Sequence, residues 1–95
     1  MHTPDHIINR TCSALNLSVD DVTSKSRIKS LVEARCISVG LIIEEHPRIK
    51  LNIIADKLGM RDHSSVIYLR DKYNDAMRFD KQIQSKRDKV KYLLI

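Results

Sequence analysis

The stretch from Gly59 to Val66, Gly-Met-Arg-Asp-His-Ser-Ser-Val, constrains the fold of this chain more than any other segment. Before it, apolar residues at positions 51, 54, 55 and 58 have the spacing of one amphipathic helix. Gly59 adopts positive φ without penalty and therefore predicts the end of that helix. Asp62 is a candidate N-cap for a second helix, from about His63 to Arg78, with a core stripe at positions 66, 69, 73 and 77. Two helices joined by a short turn of this kind are typical of a helix-turn-helix motif.

The segments before this motif also predict helices. Thr3, Pro4 and Asp5 combine a cap, a first-turn proline and an early acid, which predicts a helix running to about Asn16. Ser18 with an acid three residues later resembles a capping box. It predicts a short helical turn over residues 19–22, with both valines of that turn facing the core.

A capping box at Ser30 and Glu33 predicts a central helix from about Leu31 to Glu45, which Pro47 ends. This helix is hydrophobic on nearly all sides, so we expect it to be buried, with Gly40 allowing a close helix crossing. Near the end of the chain, Asp80 is a candidate cap for a last helix over residues 81–94. Apolar residues at positions 83, 90, and 93 or 94 would pack that helix onto the domain.

The fold class predicted by these patterns is all-α. The chain has 95 residues, only two glycines and two prolines, and no clear alternation of apolar and polar residues bounded by turn pairs. We expect residues 1–79 to form a small helical helix-turn-helix domain. Residues 80–95 are expected to form a basic C-terminal helix that is packed on that domain or partly free.

Charge points to a polyanionic partner. The net charge is +5, and the basic residues concentrate in two segments, residues 25–35 and residues 78–91. The polar and basic stretch from Thr23 to Lys29 predicts a loop that either follows a phosphate backbone or simply faces water.

The remaining composition excludes several classes of protein. Cys12 and Cys36 have neither zinc-site spacing nor the density of a secreted disulfide scaffold, so we expect reduced core thiols in a cytoplasmic protein. His2, His6 and His46 likewise lack metal spacing and are interpreted as solvated surface residues. The longest apolar run, residues 36–43, is too short to span a bilayer, so no membrane partner is expected. No motif indicates a metal or another cofactor.

The side chains at the start of the second motif helix match the chemistry of base edges. An aspartate accepts from cytosine N4, a histidine donates to purine acceptors, a serine does either, and an arginine reaches guanine or a phosphate. Arg61, Asp62, His63 and Ser64 supply these four in succession. The free amides at the start of a helix add a site for a phosphate.

The same segment closely resembles the Gly-Gly-Arg-Asp-His-Thr-Thr-Val motif of the C-terminal DNA-binding domain of the bacterial replication initiator DnaA. Upstream, Leu-Ser-Val-Asp-Asp-Val at 17–22 and Ser-Lys-Ser-Arg at 24–27 resemble that family's short helix and basic loop. The resemblance covers residues 16–77, with one small length difference near residues 46–50. It implies a Trp-repressor-like helical fold that binds double-stranded DNA sequence-specifically.

Residue roles follow from the resemblance by position. It implies base contacts in the major groove from Asp62, His63 and Ser64, and in the minor groove from Arg27. Contacts to the DNA backbone would come from the remaining cations and polar side chains of these segments, namely Lys25, Lys29, Arg35, Arg61, Ser65 and Tyr68. Met60 replaces the second glycine of the motif, serines replace both threonines, and Tyr68 stands where a histidine is common, so the target sequence is left open.

Two other functions compete with this interpretation. The leading interpretation is a stand-alone DNA-binding domain in replication or transcription control. Because the chain has no Gly-rich phosphate loop, no nucleotide partner is expected. The alternative is a protein-interaction module that kept the fold but lost DNA binding, with a protein partner or a second copy bound through the C-terminal helix. Glu33 within the basic surface and the amphipathic segment 81–95 favour that alternative. An enzyme is not expected, because adjacent residues at a helix start point in different directions.

Overall fold

The central helix predicted from the sequence is the one around which the other helices are arranged. A computed structural model describes residues 2–95 and contains six helices in this part of the chain. They are α1 (Pro4–Ala14), α2 (Val19–Val22), α3 (Lys29–Glu45), α4 (Leu51–Lys57), α5 (His63–Phe79) and α6 (Lys81–Leu93). Helix α3 packs against α1, α2, α5 and α6, while α4 packs against α5 and α1. The all-α prediction is confirmed.

Helix α3 is buried around most of its circumference, as its sequence predicts. Eleven of its residues are buried, and α3 packs against α1, α2, α5 and α6 within one hydrophobic core. Because water is excluded from all of its faces over residues 33–42, this helix has no polar stripe of its own. The second motif helix, α5, therefore packs directly on this buried helix, and α4 packs on α5.

The end of α1 and the start of α2 are set by hydrogen bonds between residues that are close in the sequence. Helix α1 stops at Ala14 rather than at Asn16, because Asn16 adopts a φ of 56°. The amide of Leu17 then donates to the Cys12 carbonyl at 2.9 Å, which closes a Schellman motif. In α2, the Ser18 hydroxyl accepts from the Asp21 amide at 3.1 Å, as predicted.

The two valines of α2 differ in burial. Val22 is fully buried, but the prediction that Val19 also faces the core is wrong, since 38% of that residue is exposed.

The predicted capping box at Ser30 is wrong. Helix α3 begins two residues earlier than expected, at Lys29, with Ile28 as its N-cap and no side-chain cap bond. The carboxylate of Glu33 does not turn back to the helix start, because it pairs with the ammonium group of Lys86 on α6 at 2.6 Å. A distant partner therefore takes the side chain that the local pattern assigned to a cap.

The predicted close crossing at Gly40 is confirmed, and the residue that fills it is Tyr73 of α5. A Cβ atom at Gly40 would lie far inside van der Waals contact of three ring carbons of Tyr73. The Tyr73 hydroxyl donates to a carboxylate oxygen of Glu44 at 2.5 Å, which holds the ring in this position. Glycine at position 40 thus sets the distance between α3 and α5.

Helix α6 packs onto the same core. The carboxylate of Asp80 accepts from the amides of Gln82 and Ile83 at 3.0 and 3.1 Å, as its predicted capping role requires. Ile83 and Val90 are buried. In the described part of the chain, no helix is both long and apolar enough to cross a membrane.

The interpretation of three histidines as solvated surface residues is wrong, because they meet at the junction of α1 and the end of α3. The His2 ring lies 3.0 Å from a carboxylate oxygen of Glu45 and stacks on the ring of His6. The ring of His46 lies 2.6 Å from the His2 carbonyl oxygen. These contacts fasten the N-terminal segment to the end of α3.

Candidate nucleic-acid interface

The turn between α4 and α5 has the geometry that its sequence predicts. Gly59 has a φ of 71°, and the amide of Met60 donates to the Ala55 carbonyl at 2.8 Å. These features end α4 in a second Schellman motif. Val66, Leu69 and Tyr73 bury the inner face of α5, so the opposite face and the first turn of that helix remain at the surface. Helices α4 and α5 thus form a helix-turn-helix unit with an exposed second-helix start.

Asp62 caps α5 and also determines how the neighbouring serine is oriented. One oxygen of its carboxylate accepts from the Ser64 amide at 3.0 Å and from the Ser64 hydroxyl. These two hydrogen bonds, chiefly that of the hydroxyl, lower the pKa of Asp62 below its ordinary value. The carboxylate is therefore anionic at neutral pH, and its second oxygen points to no partner in residues 2–95.

The basic loop, residues 23–28, is ordered by its own short polar side chains. The Ser24 hydroxyl donates to the Asp21 carbonyl at 2.6 Å and accepts from the Ser26 amide at 3.2 Å. The Ser26 hydroxyl accepts in turn from the Ile28 amide at 3.4 Å. Because hydroxyls satisfy the backbone here, the long side chains of Lys25 and Arg27 are free to extend into solvent, and both are exposed.

The basic loop and the start of α5 face each other across one open cleft of about 800 Å³. Seven of the residues predicted to bind DNA line it, namely Lys25, Arg27, Arg35, Arg61, Ser64, Ser65 and Tyr68. Three others, Lys29, Asp62 and His63, are exposed outside the lining. The tertiary structure thus brings together two segments that lie more than thirty positions apart in the sequence.

Part of the cleft was not predicted. Its lining includes Val32, Met60 and Leu69, whose apolar side chains lie among the polar and basic residues of the cleft. Val32 and Met60 are half-buried and pack on the core. No sequence motif includes Val32. Its position in the first turn of α3, next to the basic loop, could however have been inferred from the helical periodicity of the sequence.

Arg35 does not extend to the surface as a supporting phosphate contact requires. It is only 7% exposed, and its guanidinium donates to four backbone carbonyls. They belong to Val22 at 2.6 Å, Ser26 at 2.6 Å, Ser24 at 2.9 Å and Asp21 at 3.3 Å. The side chain is a bracket between α3 and the basic loop, because these carbonyls lie at the end of α2 and along that loop.

The two basic segments of the sequence differ in the structure. On α6, Lys86 pairs with Glu33 and Lys91 lies 3.5 Å from a carboxylate oxygen of Glu44. Arg87 pairs with its neighbour Asp88. By contrast, Lys25, Arg27, Lys29 and Arg61 form no salt bridge with any described residue. Uncompensated positive charge therefore collects beside the cleft, where it attracts an anion.

Fold and site together define a class of protein, a small helical domain of the helix-turn-helix type with a basic cleft beside the second motif helix. A model of the bacterial DnaA protein helix-turn-helix matches residues 4–72. The chain belongs to this family. Membership in a helix-turn-helix family indicates that the chain binds DNA.

Curated relatives agree with this assignment. Over 78 residues, or 82% of the chain, it is 32% identical to the chromosomal replication initiator protein DnaA of Gloeothece citriformis. Over 75 residues, or 79% of the chain, it is 35% identical to the protein of the same name from Clavibacter sepedonicus. The matched segments make up 17% and 16% of those relatives, so the chain spans only a small part of the initiator's length.

Proposed function

We propose that this domain binds double-stranded DNA sequence-specifically, with the start of α5 in the major groove and the basic loop at the adjacent minor groove and backbone. The observation that carries the proposal is the cleft, which places Lys25 and Arg27 opposite Ser64 and Ser65. A protein that reads two neighbouring grooves needs two exposed segments at a set separation.

The start of α5 supplies the selective contacts. The free carboxylate oxygen of Asp62 is an acceptor for cytosine N4, and the exposed His63 is a donor to a purine. Ser64, which already donates to Asp62, offers its lone pairs to a base-edge donor. Ser65 and the exposed phenol of Tyr68 face the cleft and suit phosphate contacts.

The basic loop supplies affinity and one minor-groove contact. Arg27 would enter the minor groove, while Lys25, Lys29 and Arg61 would neutralise phosphates. Each neutralised phosphate releases counterions, so binding should weaken steeply as salt rises. The domain acts by binding, without catalysis.

The features that favoured a protein-interaction module are used within the domain. Glu33 is 5% exposed and pairs with Lys86, so its charge does not interrupt the basic surface. The apolar stripe of α6 buries Ile83 and Val90 in the core. Glu33 and the buried stripe of α6 are thus used within the domain, while Tyr92, Leu93 and Ile95 at the end of the chain stay exposed.

Selection of bound duplexes from a random library at low salt tests the proposal directly. We expect enrichment of one sequence family. The selected duplex then serves to compare variants over a range of salt concentrations. Enrichment of no sequence, together with no affinity for any duplex at low salt, would refute the proposal.

Arg27→Ala tests the basic loop, with Lys89→Ala on the exposed outer side of α6 as the charge-matched control. We expect Arg27→Ala to weaken binding about tenfold, since a good base contact contributes about 1–3 kcal/mol. Lys89→Ala should change Kd less than about twofold, because Lys89 does not line the cleft. Equal losses from both variants would contradict the loop assignment.

Asp62→Asn tests base reading while keeping a residue that caps a helix well. The substitution replaces an acceptor by a side chain that also donates, so we expect the preference at one base pair to change rather than overall affinity to fall. Asp80→Asn is the matched control, because Asp80 caps α6 in the same way and lies outside the cleft. If both variants keep the wild-type ranking of sequences, Asp62 does not read a base.

A further inference from the structure

Arg35 has most of its hydrogen-bonding capacity committed inside the protein. A guanidinium group has five N–H donors. The Nε atom donates to Val22, Nη1 to Ser26, and Nη2 to both Asp21 and Ser24, so one donor is left for any other partner. A bidentate grip on a phosphate needs two donors side by side, which this arrangement no longer offers.

The four carbonyls lie at the end of α2 and along the basic loop. Those of Asp21 and Val22 are carbonyls of the last turn of α2. The Asp21 carbonyl also accepts from the amide and the hydroxyl of Ser24, whereas the Val22 carbonyl accepts from the Arg35 guanidinium at 2.6 Å. The carbonyls of Ser24 and Ser26 belong to the peptide groups that directly precede Lys25 and Arg27, two residues that line the cleft. By holding the peptide group before each of these cations, Arg35 restrains the direction in which their side chains leave the backbone.

A second contact joins the basic loop to the helix-turn-helix turn. A Cβ atom at Gly59 would collide with the carbonyl oxygen of Thr23, the first residue of the loop. The loop backbone therefore lies directly against the turn that precedes α5. The bracket at Arg35 and the contact at Gly59 act on the same short loop, one from α3 and the other from the motif turn.

We infer that Arg35 is a positioning residue, which holds the basic loop at a set distance from the start of α5 and acts on DNA through Arg27. This inference rests on the proposed function. It differs from a direct phosphate contact by Arg35, the role that the position of this residue suggests from sequence alone. The inference predicts that substitution of Arg35 lowers DNA affinity only when the basic-loop side chains that contact DNA are present.

A double-mutant cycle between Arg35 and Arg27 distinguishes the two roles. Arg35→Lys keeps the charge but replaces a planar fork of donors by a single ammonium group, so it cannot hold four diverging carbonyls. We expect Arg35→Lys to raise Kd about tenfold in the wild-type background and about twofold or less when Arg27 is already alanine, a coupling typical of residues that share one network. Losses that multiply independently, or wild-type affinity for Arg35→Lys, would overturn the inference.

Hydrogen exchange of the free protein provides a readout that does not depend on DNA. Arg35→Lys should speed exchange of the Ser26 and Ile28 amides while leaving those at the start of α5 unchanged. Arg70→Lys is the matched control, because Arg70 is on α5 and pairs only with the adjacent Asp71 among the described residues. Unchanged exchange in the loop would contradict the bracket role.

Ser24→Ala provides a second route if Arg35→Lys does not fold cooperatively in thermal unfolding. Ser24 is exposed, and its hydroxyl makes two of the bonds that order the same loop. This variant should also weaken binding more when Arg27 is present than when it is absent. Equal losses in the two backgrounds would argue against a positioned Arg27.

The cycle separates failure of this inference from failure of the proposed function. If the wild-type protein binds no duplex, the proposed function fails, and the hydrogen-exchange result still decides whether Arg35 orders the loop. If the wild-type protein binds and the cycle is additive, only the positioning role fails.

Discussion

Replacement of Gly40 by alanine should destabilise the domain, although alanine is the better helix former. In an exposed helix the change stabilises by about 1 kcal/mol. Here the new methyl group would meet the Tyr73 ring, and ordinary contact would require the ring to withdraw by about 1 Å. The bond from the Tyr73 hydroxyl to Glu44 resists that movement. Overpacking of a core typically costs about 1–3 kcal/mol, and in so tight a crossing we expect the upper part of this range or more.

The net expected loss for Gly40→Ala is therefore about 1–2 kcal/mol in the free energy of unfolding, after the gain in helix propensity is subtracted. Urea denaturation measures this loss, and Tm should fall by about 4–8 °C for each kcal/mol. The matched background is Tyr73→Ala, in which the ring is absent and Gly40→Ala should become stabilising by about 1 kcal/mol. A Gly40→Ala variant as stable as the wild type, or the same loss in both backgrounds, would refute the reasoning.

Three further outcomes are expected. Ser64→Ala should raise the pKa of Asp62 toward its ordinary value, because it removes the hydroxyl bond that stabilises the carboxylate, and carboxyl NMR titration measures the shift. Lys86→Ala should lower the free energy of unfolding by about 1–2 kcal/mol, because it leaves the buried Glu33 carboxylate without its partner. Burial raises the pKa of the Cys36 thiol to about 11, so this residue should react with a thiol reagent at neutral pH only as fast as the domain unfolds.

Each of these outcomes has a result that would contradict it. The capping contribution of Asp62 is present above its ordinary pKa and is lost as pH falls through the lower folded-state pKa, so unchanged acid unfolding in Ser64→Ala would argue against the cap bond. For the ion pair, Lys89→Ala on the same helix should lower the free energy of unfolding by less than about 0.5 kcal/mol. If Lys86→Ala and Lys89→Ala lowered it equally, the pairing of Lys86 with Glu33 would not explain the loss. Rapid native modification of Cys36 would show that its burial is incomplete.

Local chemistry accounts for much of what was predictable here. Pro4, Gly59, Asp62 and Asp80 act through neighbours a few positions away, and each has its expected role at a helix end. Periodicity likewise predicted Val66, Leu69 and Tyr73 in the buried stripe of α5. The fourth buried residue is Ala76, and the predicted Met77 is only partly buried. Such signals depend on contacts within about one helical turn, so they are readable without knowing how the helices pack.

Long-range contacts account for the failures. Glu33 matches a capping box, yet Lys86, 53 positions away, takes its carboxylate. Histidines without sequence-local partners meet at a junction between distant segments. Arg35 belongs to a basic segment of the sequence, but its guanidinium donates to four backbone carbonyls instead of extending into solvent. A charged side chain takes the best partner that the fold brings near, and local sequence does not contain that information.

The sequence by itself determined the helices, the turn at Gly59 and the set of side chains at the start of α5, because these depend on backbone preferences and short-range hydrogen bonds. Only the tertiary structure decided that the basic loop faces that helix across one cleft. It also decided that Lys86 and Lys91 of α6 pair with carboxylates of α3. The physical reason is packing. The position of the loop follows from Arg35 on α3 and from the glycine contact with Thr23, and both exist only once the helices have assembled.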